Sequence, residues 1–146
     1  MSIYALVFAA LASLASGVAS WAFADDNGLL PPEERQGVVA YRSGGVGIEE
    51  AKQMRQLARD YPLVLELLAE GEGPRAEFTA GVKIEIENEA GEVVLTAVAN
   101  GPYLLARLPA GKYTVTAVFN GDTKTRQMRV TEQGHKRVVF LWGKAQ

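Results

Sequence analysis

His135 is the only imidazole in the 146 residues, and cysteine is absent altogether. A Ser-His-Asp type site needs a nucleophile, a base and an orienting acid, and a zinc centre needs several His, Cys or carboxylate ligands converging on one point. One histidine in the turn Glu132-Gln133-Gly134-His135 supplies neither, and it is read as a solvated turn residue. The absence of thiols removes disulfides and thiolate chemistry together, so stability must come from packing. No catalytic residue, no cofactor site and no metal site is expected, and the chain is read as a non-enzyme.

Other residue groups could still bind. The run Gly44-Gly45-Val46-Gly47 precedes a helical pattern, so the backbone amides at Gly44, Gly45 and Gly47 form a candidate anion-binding turn. It lacks the Lys of a P-loop and the third glycine of a dinucleotide fingerprint, and a plain structural turn is the favoured reading. Glu49 with Glu50, and Glu85 with Glu87, are paired carboxylates. Alternation along a strand puts Glu85 and Glu87 on a wet face, where charge keeps an exposed sheet soluble. Asp25-Asp26-Asn27 offers too few oxygens for a calcium loop. Tyr103, Leu104 and Leu105 are apolar in succession, so both faces of that strand need cover. Packing beneath the helix is favoured; the alternative is that Tyr103, Leu105 and Arg107 form a candidate partner surface. Trp142 is read as core or subunit contact.

The elements that must position these groups follow from period and punctuation. Ile3 to Ala15 is almost wholly apolar, Gly17 interrupts it, and Ala22-Phe23-Ala24 has the small-x-small form of a signal-peptidase site. Residues 1–24 are therefore expected to be an export signal, cleaved after Ala24, although Met1-Ser2-Ile3-Tyr4 carries no Lys or Arg; retention as an anchor is the alternative. Residues 25–37 read as a linker. Val38 to Tyr41 is β-prone, and Ile48, Ala51, Met54, Leu57, Ala58 and Tyr61 recur at helical spacing until Pro62. Leu63 to Leu68 reads as a buried strand, with continued helix as the alternative. Residues 38–76 thus form a strand-helix-strand unit.

From residue 77 to 146 the period is two. Val82, Ile84 and Ile86 alternate with Lys83, Glu85 and Glu87, and strands follow over Val93–Val98, Tyr103–Leu108, Tyr113–Phe119, Thr123–Val130 and Arg137–Trp142. Asn120-Gly121 is a strong hairpin signal, since both turn positions need positive φ. The expected fold is mainly β, an antiparallel sandwich in which short turns make neighbours antiparallel. A net charge of −2 lacks the clustered cations that phosphate-backbone binding needs, which sets nucleic acid aside.

The stretch from Asn100 to Val115, with Gly101, then Leu108-Pro109-Ala110-Gly111-Lys112-Tyr113-Thr114-Val115, resembles the carboxypeptidase regulatory-like domains of the transthyretin-like sandwiches. Tyr41 to Glu50 is similar to a segment of small bacterial exported proteins of that class, in which a short helical unit precedes the sandwich. The resemblance covers about residues 80–142 and implies an accessory or binding module. The hydroxyisourate hydrolases of this fold use more than one histidine and a Tyr-Arg-Gly-Ser motif, neither of which this sequence carries. The expected role is an exported, periplasmic or secreted, non-catalytic module of the cell envelope that recognises a protein, peptide or envelope polymer. The alternative is a structural component that assembles with itself. Membrane contact is expected only through an uncleaved N-terminus.

Overall fold

The computed structural model describes residues 30–71 and 76–143. The expected export signal and the first part of the linker lie outside these residues. The chain forms β1 (Glu34–Gln36), β2 (Val39–Gly44), α1 (Ile48–Leu57), a 3₁₀ turn (Ala58–Asp60), β3 (Leu63–Glu70), β4 (Ala76–Phe78) and β5 (Val82–Asn88). There follow β6 (Val93–Ala99), β7 (Tyr103–Arg107), β8 (Gly111–Phe119), β9 (Asp122–Val130) and β10 (Lys136–Trp142). The strands make two sheets, consistent with a β-sandwich. One has the order β1-β2-β7-β3-β10, with β4 paired to the end of β3; the other has the order β6-β5-β8-β9.

The period-two reading from Val82 onward is what builds the interior. Val82, Ile84 and Ile86 of β5 and Val115 and Ala117 of β8 are essentially buried, and they meet Leu63, Leu65, Leu67, Leu104, Phe140 and Trp142 from the opposite sheet. Asn120 and Gly121 have φ of 49° and 78°, so the β8–β9 hairpin closes with the primed turn that two left-handed residues permit. A bulge between Ile86 and Glu87 adjusts β5 against β6. The alternative of a continued helix after Pro62 is excluded by β3.

Three features of the fold lie beyond what the sequence period carries. Glu34–Gln36, assigned to the linker, pair with Val39–Tyr41 across a turn at Gly37, whose φ is 55°; three residues are too few to show a period. Residue 76 does not divide two packing units, because β7 inserts between β2 and β3 and one core draws on both sides of that boundary. Neighbours are not all antiparallel: β10 runs parallel to β3, with Lys136 opposite Leu63 and Trp142 opposite Ala69. The whole second sheet intervenes in sequence between those two strands, so no tight turn governs their relative direction.

The helix covers the outer face of the first sheet. Ala51 and Met54 of α1, with Ala58 and Tyr61, pack on Val64, Tyr103 and Leu105 as a second, smaller core. The regular α-helix stops at Leu57 rather than Tyr61, and Ile48, counted on its apolar face, is 84% exposed. Glu49 and Glu50 in the first turn complement the positive end of the helix.

Where β2 ends, its backbone meets the β6–β7 turn. A Cβ added at Gly101 would stand 2.5 Å from both the carbonyl carbon and oxygen of Gly44, and neither can move as a side chain would. Asn100 N–H donates to Ser43 Oγ at 3.2 Å, and Leu67 N–H to Pro102 O at 2.7 Å, so this crossing is fastened on both sides. Gly101→Ala is expected to lower stability by about 1–3 kcal/mol, the usual range for overpacking. Urea denaturation followed by tryptophan fluorescence checks it, and an unchanged midpoint would refute the close-approach account.

Candidate functional site

Alternation along β3 divides its side chains between two environments. Leu63, Leu65 and Leu67 enter the core between the sheets, while Val64 belongs to the core beneath the helix and Glu66 occupies the same outer face. Glu66 is only 8% exposed. Its Oε2 accepts from Arg137 Nε at 2.8 Å and from Nη2, a charge-assisted pair across neighbouring strands. That hydrogen bonding holds the guanidinium protonated even more firmly than usual. Beside this pair lies a cleft of about 230 Å³ between the flank of α1 and β10, lined by Arg55, Arg59, Glu66, Tyr103, His135 and Arg137 among others. His135 is exposed but held: its Nδ1 lies 3.0 Å from Tyr61 O, and the adjoining Lys136 N–H donates to Pro62 O at 2.8 Å. A carbonyl only accepts, so this contact assigns the ring proton to Nδ1.

A second polar group fastens the entering chain to the helix end. Tyr61 OH donates to Glu33 Oε2 at 2.6 Å and accepts from Arg42 Nε at 3.1 Å, while Arg42 Nη1 donates to Pro31 O at 3.0 Å. The Arg107 guanidinium lies 4.2 Å from the centre of the Tyr61 ring and donates through Nη1 to Asp60 O at 2.8 Å. Burial, followed by the bond to Glu33, raises the Tyr61 phenol above its ordinary value. The bond from Tyr61 is the largest influence lowering Glu33, with Arg107 and Arg42 adding to it against some burial.

The candidate residues from the sequence can now be placed. Tyr103 and Leu105 are 4% and 0% exposed beneath α1, so they are packing residues and do not form a partner surface. Arg107 is exposed but engaged with Tyr61 and Asp60. In the glycine turn, Gly45 N–H donates to Glu50 Oε1 at 2.7 Å, so the chain's own carboxylate occupies the place proposed for an anion. Gly44 is buried at the crossing with Gly101, and Gly47, with φ of 87°, simply starts the helix. Trp142 is core: it stacks near Phe140 and donates Nε1–H to Asp122 O at 3.1 Å. Sequence reasoning missed the cleft because Arg55, Arg59, Glu66 and Arg137 come from a helix and two strands that share no motif. The one signal was Glu66, an acid inside the apolar run Leu63 to Leu68.

The sheet edges differ in how they are protected. β1 is only three residues long. On the same side of the sandwich, the Gln36 amide meets the β6 edge at one residue, donating Nε2–H to Thr96 O at 2.5 Å and accepting Thr96 N–H at 2.9 Å. On the opposite side, β9 places Lys124 and Arg126 opposite buried Ala117 and Val115, with the Arg126 guanidinium over Phe140. Inward-pointing charge of this kind discourages a further strand. β10 has no such device: β3 pairs with one side of it, no described strand pairs with the other, and its Val139 and Leu141 are each 44% exposed.

Compared with known families and with curated proteins, the chain matches no family model and no curated sequence. Among the described residues no three His, Cys, Asp or Glu side chains come together to hold a metal, and no helix is long and apolar enough to cross a membrane.

Because Glu33 is lowered below the ordinary 4.5, its contribution to stability is in place above that value and is lost as pH falls through the lowered one. Tyr61→Phe deletes the largest cause, so the Glu33 carboxyl should titrate closer to 4.5. Side-chain carbonyl NMR across an acid titration tests this, and a midpoint indifferent to the substitution would sink the assignment.

Proposed function

We propose that this protein is an exported, non-catalytic binding module of the cell envelope, which takes up an extended segment of a partner protein as an added strand on β10. The observation carrying this reading is the unequal treatment of the edges: β1 and β4 are three residues long, β6 is met at Thr96 by Gln36, β9 carries inward charge, and among the described residues β10 has none of these devices. A free strand edge supplies a row of backbone donors and acceptors that a peptide can pair with, and side chains at alternate positions supply selectivity. Val139 and Leu141 lie on one face of β10 and offer apolar contact to such a strand. Membership of the carboxypeptidase regulatory-like class is part of the proposal. It is supported by the Pro109–Gly111 turn, where Tyr113 OH donates back to Pro109 O at 2.6 Å.

An array of extended peptides of about nine residues, matching the length of an ordinary strand, tests the edge. The wild-type protein is expected to bind a subset, with amide shifts in an NMR titration centred on β10. Val139→Lys with Leu141→Lys should abolish that binding while changing stability by no more than about 0.5 kcal/mol per site, as befits exposed positions. Binding that survives the double substitution, or no binding at all, would overturn the strand-addition mechanism. If the same substitution instead removes a concentration-dependent dimer in sedimentation equilibrium, the added strand is a second copy and the protein is a self-assembling component. Export has its own check: the amino terminus of the protein recovered from the cell envelope should be Asp25, and recovery of Met1 would refute cleavage.

A further inference from the structure

We infer that the cleft between α1 and the start of β10 is a binding site for a doubly charged oxyanion of the phosphate monoester type. Three arginines, Arg55, Arg59 and Arg137, line it against the single carboxylate of Glu66, which leaves two positive charges in excess even with His135 neutral. Arg55 on α1 and Arg59 in the 3₁₀ turn that follows it are exposed, and among the described residues neither guanidinium has a hydrogen-bond or ion-pair partner. The third is held differently. Glu66 takes Nε and Nη2 of Arg137, which fixes the plane of that guanidinium.

Two unpartnered guanidiniums beside a third whose orientation is fixed make a fork suited to a tetrahedral oxyanion, which accepts several charge-assisted hydrogen bonds at once. Charge selects among oxyanions: a phosphate monoester carries about −1.5 to −2 near neutral pH and matches the excess, whereas a monocarboxylate satisfies half of it. Size agrees. At about 230 Å³ the cleft is smaller than the ~300–1,000 Å³ of pockets that enclose a whole drug-sized ligand. It would take a headgroup or a free small anion and leave the remainder of a larger molecule outside. Arg55 reaches the cleft from α1, Arg59 from the 3₁₀ turn, His135 from just before β10 and Arg137 from β10, so the site depends on the packing of Met54 that holds α1 to the sheet.

The cleft engages β10 only through the Arg137 side chain at its start, whereas the docking edge is the β10 backbone with Val139 and Leu141, so the two can fail independently. Titration with inorganic phosphate, O-phosphoserine and acetate, followed through the imidazole proton resonances, reads it directly, since His135 is the only histidine. At constant pH and low salt, phosphate and O-phosphoserine are expected to produce one saturable shift. Acetate should bind about tenfold more weakly or worse, as loss of roughly one charged hydrogen bond implies. Arg55→Gln and Arg59→Gln each keep a good helix former at an exposed position, so folding is preserved while phosphate affinity should fall about tenfold. Raising salt from about 20 to 200 mM should weaken binding in the wild type more than in either variant. If phosphate binds and O-phosphoserine does not, the ligand is the free anion; if both bind, a phosphorylated headgroup fits as well. The inference is overturned if no saturable imidazole shift occurs, if both glutamine variants bind as the wild type does, or if acetate binds equally well.

Discussion

Burial of β7 on both of its faces is the constraint from which the rest of the structure follows. Leu104 and Ala106 point into the space between the sheets, while Tyr103 and Leu105 point the other way, and all four are nearly inaccessible. A strand in that condition must be central, must have strands on both sides and must be covered by a further layer. β2 and β3 are those neighbours, and α1, which joins them, is that layer. Met54, fully buried, is the contact that makes the cover continuous. Truncating it would open a cavity of the kind that costs about 2–5 kcal/mol, enough to loosen the helix from the sheet.

This arrangement explains which parts of the fold could be read from the residues. β5 and β8 alternate apolar and polar residues because one face is wet, and each was located closely. β3 and β7 do not alternate, because both faces are buried, and a run such as Leu63 to Leu68 is compatible with strand or helix until its neighbours are known. The need for a cover over Tyr103 and Leu105 was legible, and the helix was the available candidate. What covers them also removes them from any docking surface. β1, β4 and the parallel pairing of β3 with β10 were not legible, since three-residue strands have no period and a crossover through a second sheet leaves no local signal. The polar cleft was invisible for the same reason: its residues are brought together only by the sheet order.

The two sides of the sandwich are built unequally, and the difference is a matter of backbone chemistry. On one side Gln36 presents an amide to Thr96 and so imitates the next strand at that residue, satisfying its N–H and C=O without lengthening the sheet. On the other side charge does the protecting, but only along β9. There the chain folds from β9 into β10 and the last strand joins the sheet by parallel pairing to β3 alone. Trp142 is anchored between Phe140 and the Asp122 carbonyl, which fixes the end of β10 without covering its outer side. An edge already held in extended form and, among the described residues, unpaired on its outer side gives up little ordering entropy when a strand is added, and that is the property a docking edge needs.

The pairing of Glu66 with Arg137 bears on why the same end of β10 is polar. A carboxylate only 8% exposed among the apolar residues Leu63 to Leu68 pays for desolvation, while solvent around its 61% exposed partner Arg137 screens part of the attraction that offsets it. Packing therefore does not account for an acid at this position. What the acid accomplishes is local: it sets the plane of Arg137 beside Arg55 and Arg59, in a cleft whose remaining guanidiniums have nothing within the described fold to neutralise them. Three like charges brought near one another repel, and one carboxylate offsets only part of that repulsion. An arrangement that carries such a cost is intelligible if the missing charge arrives with a ligand.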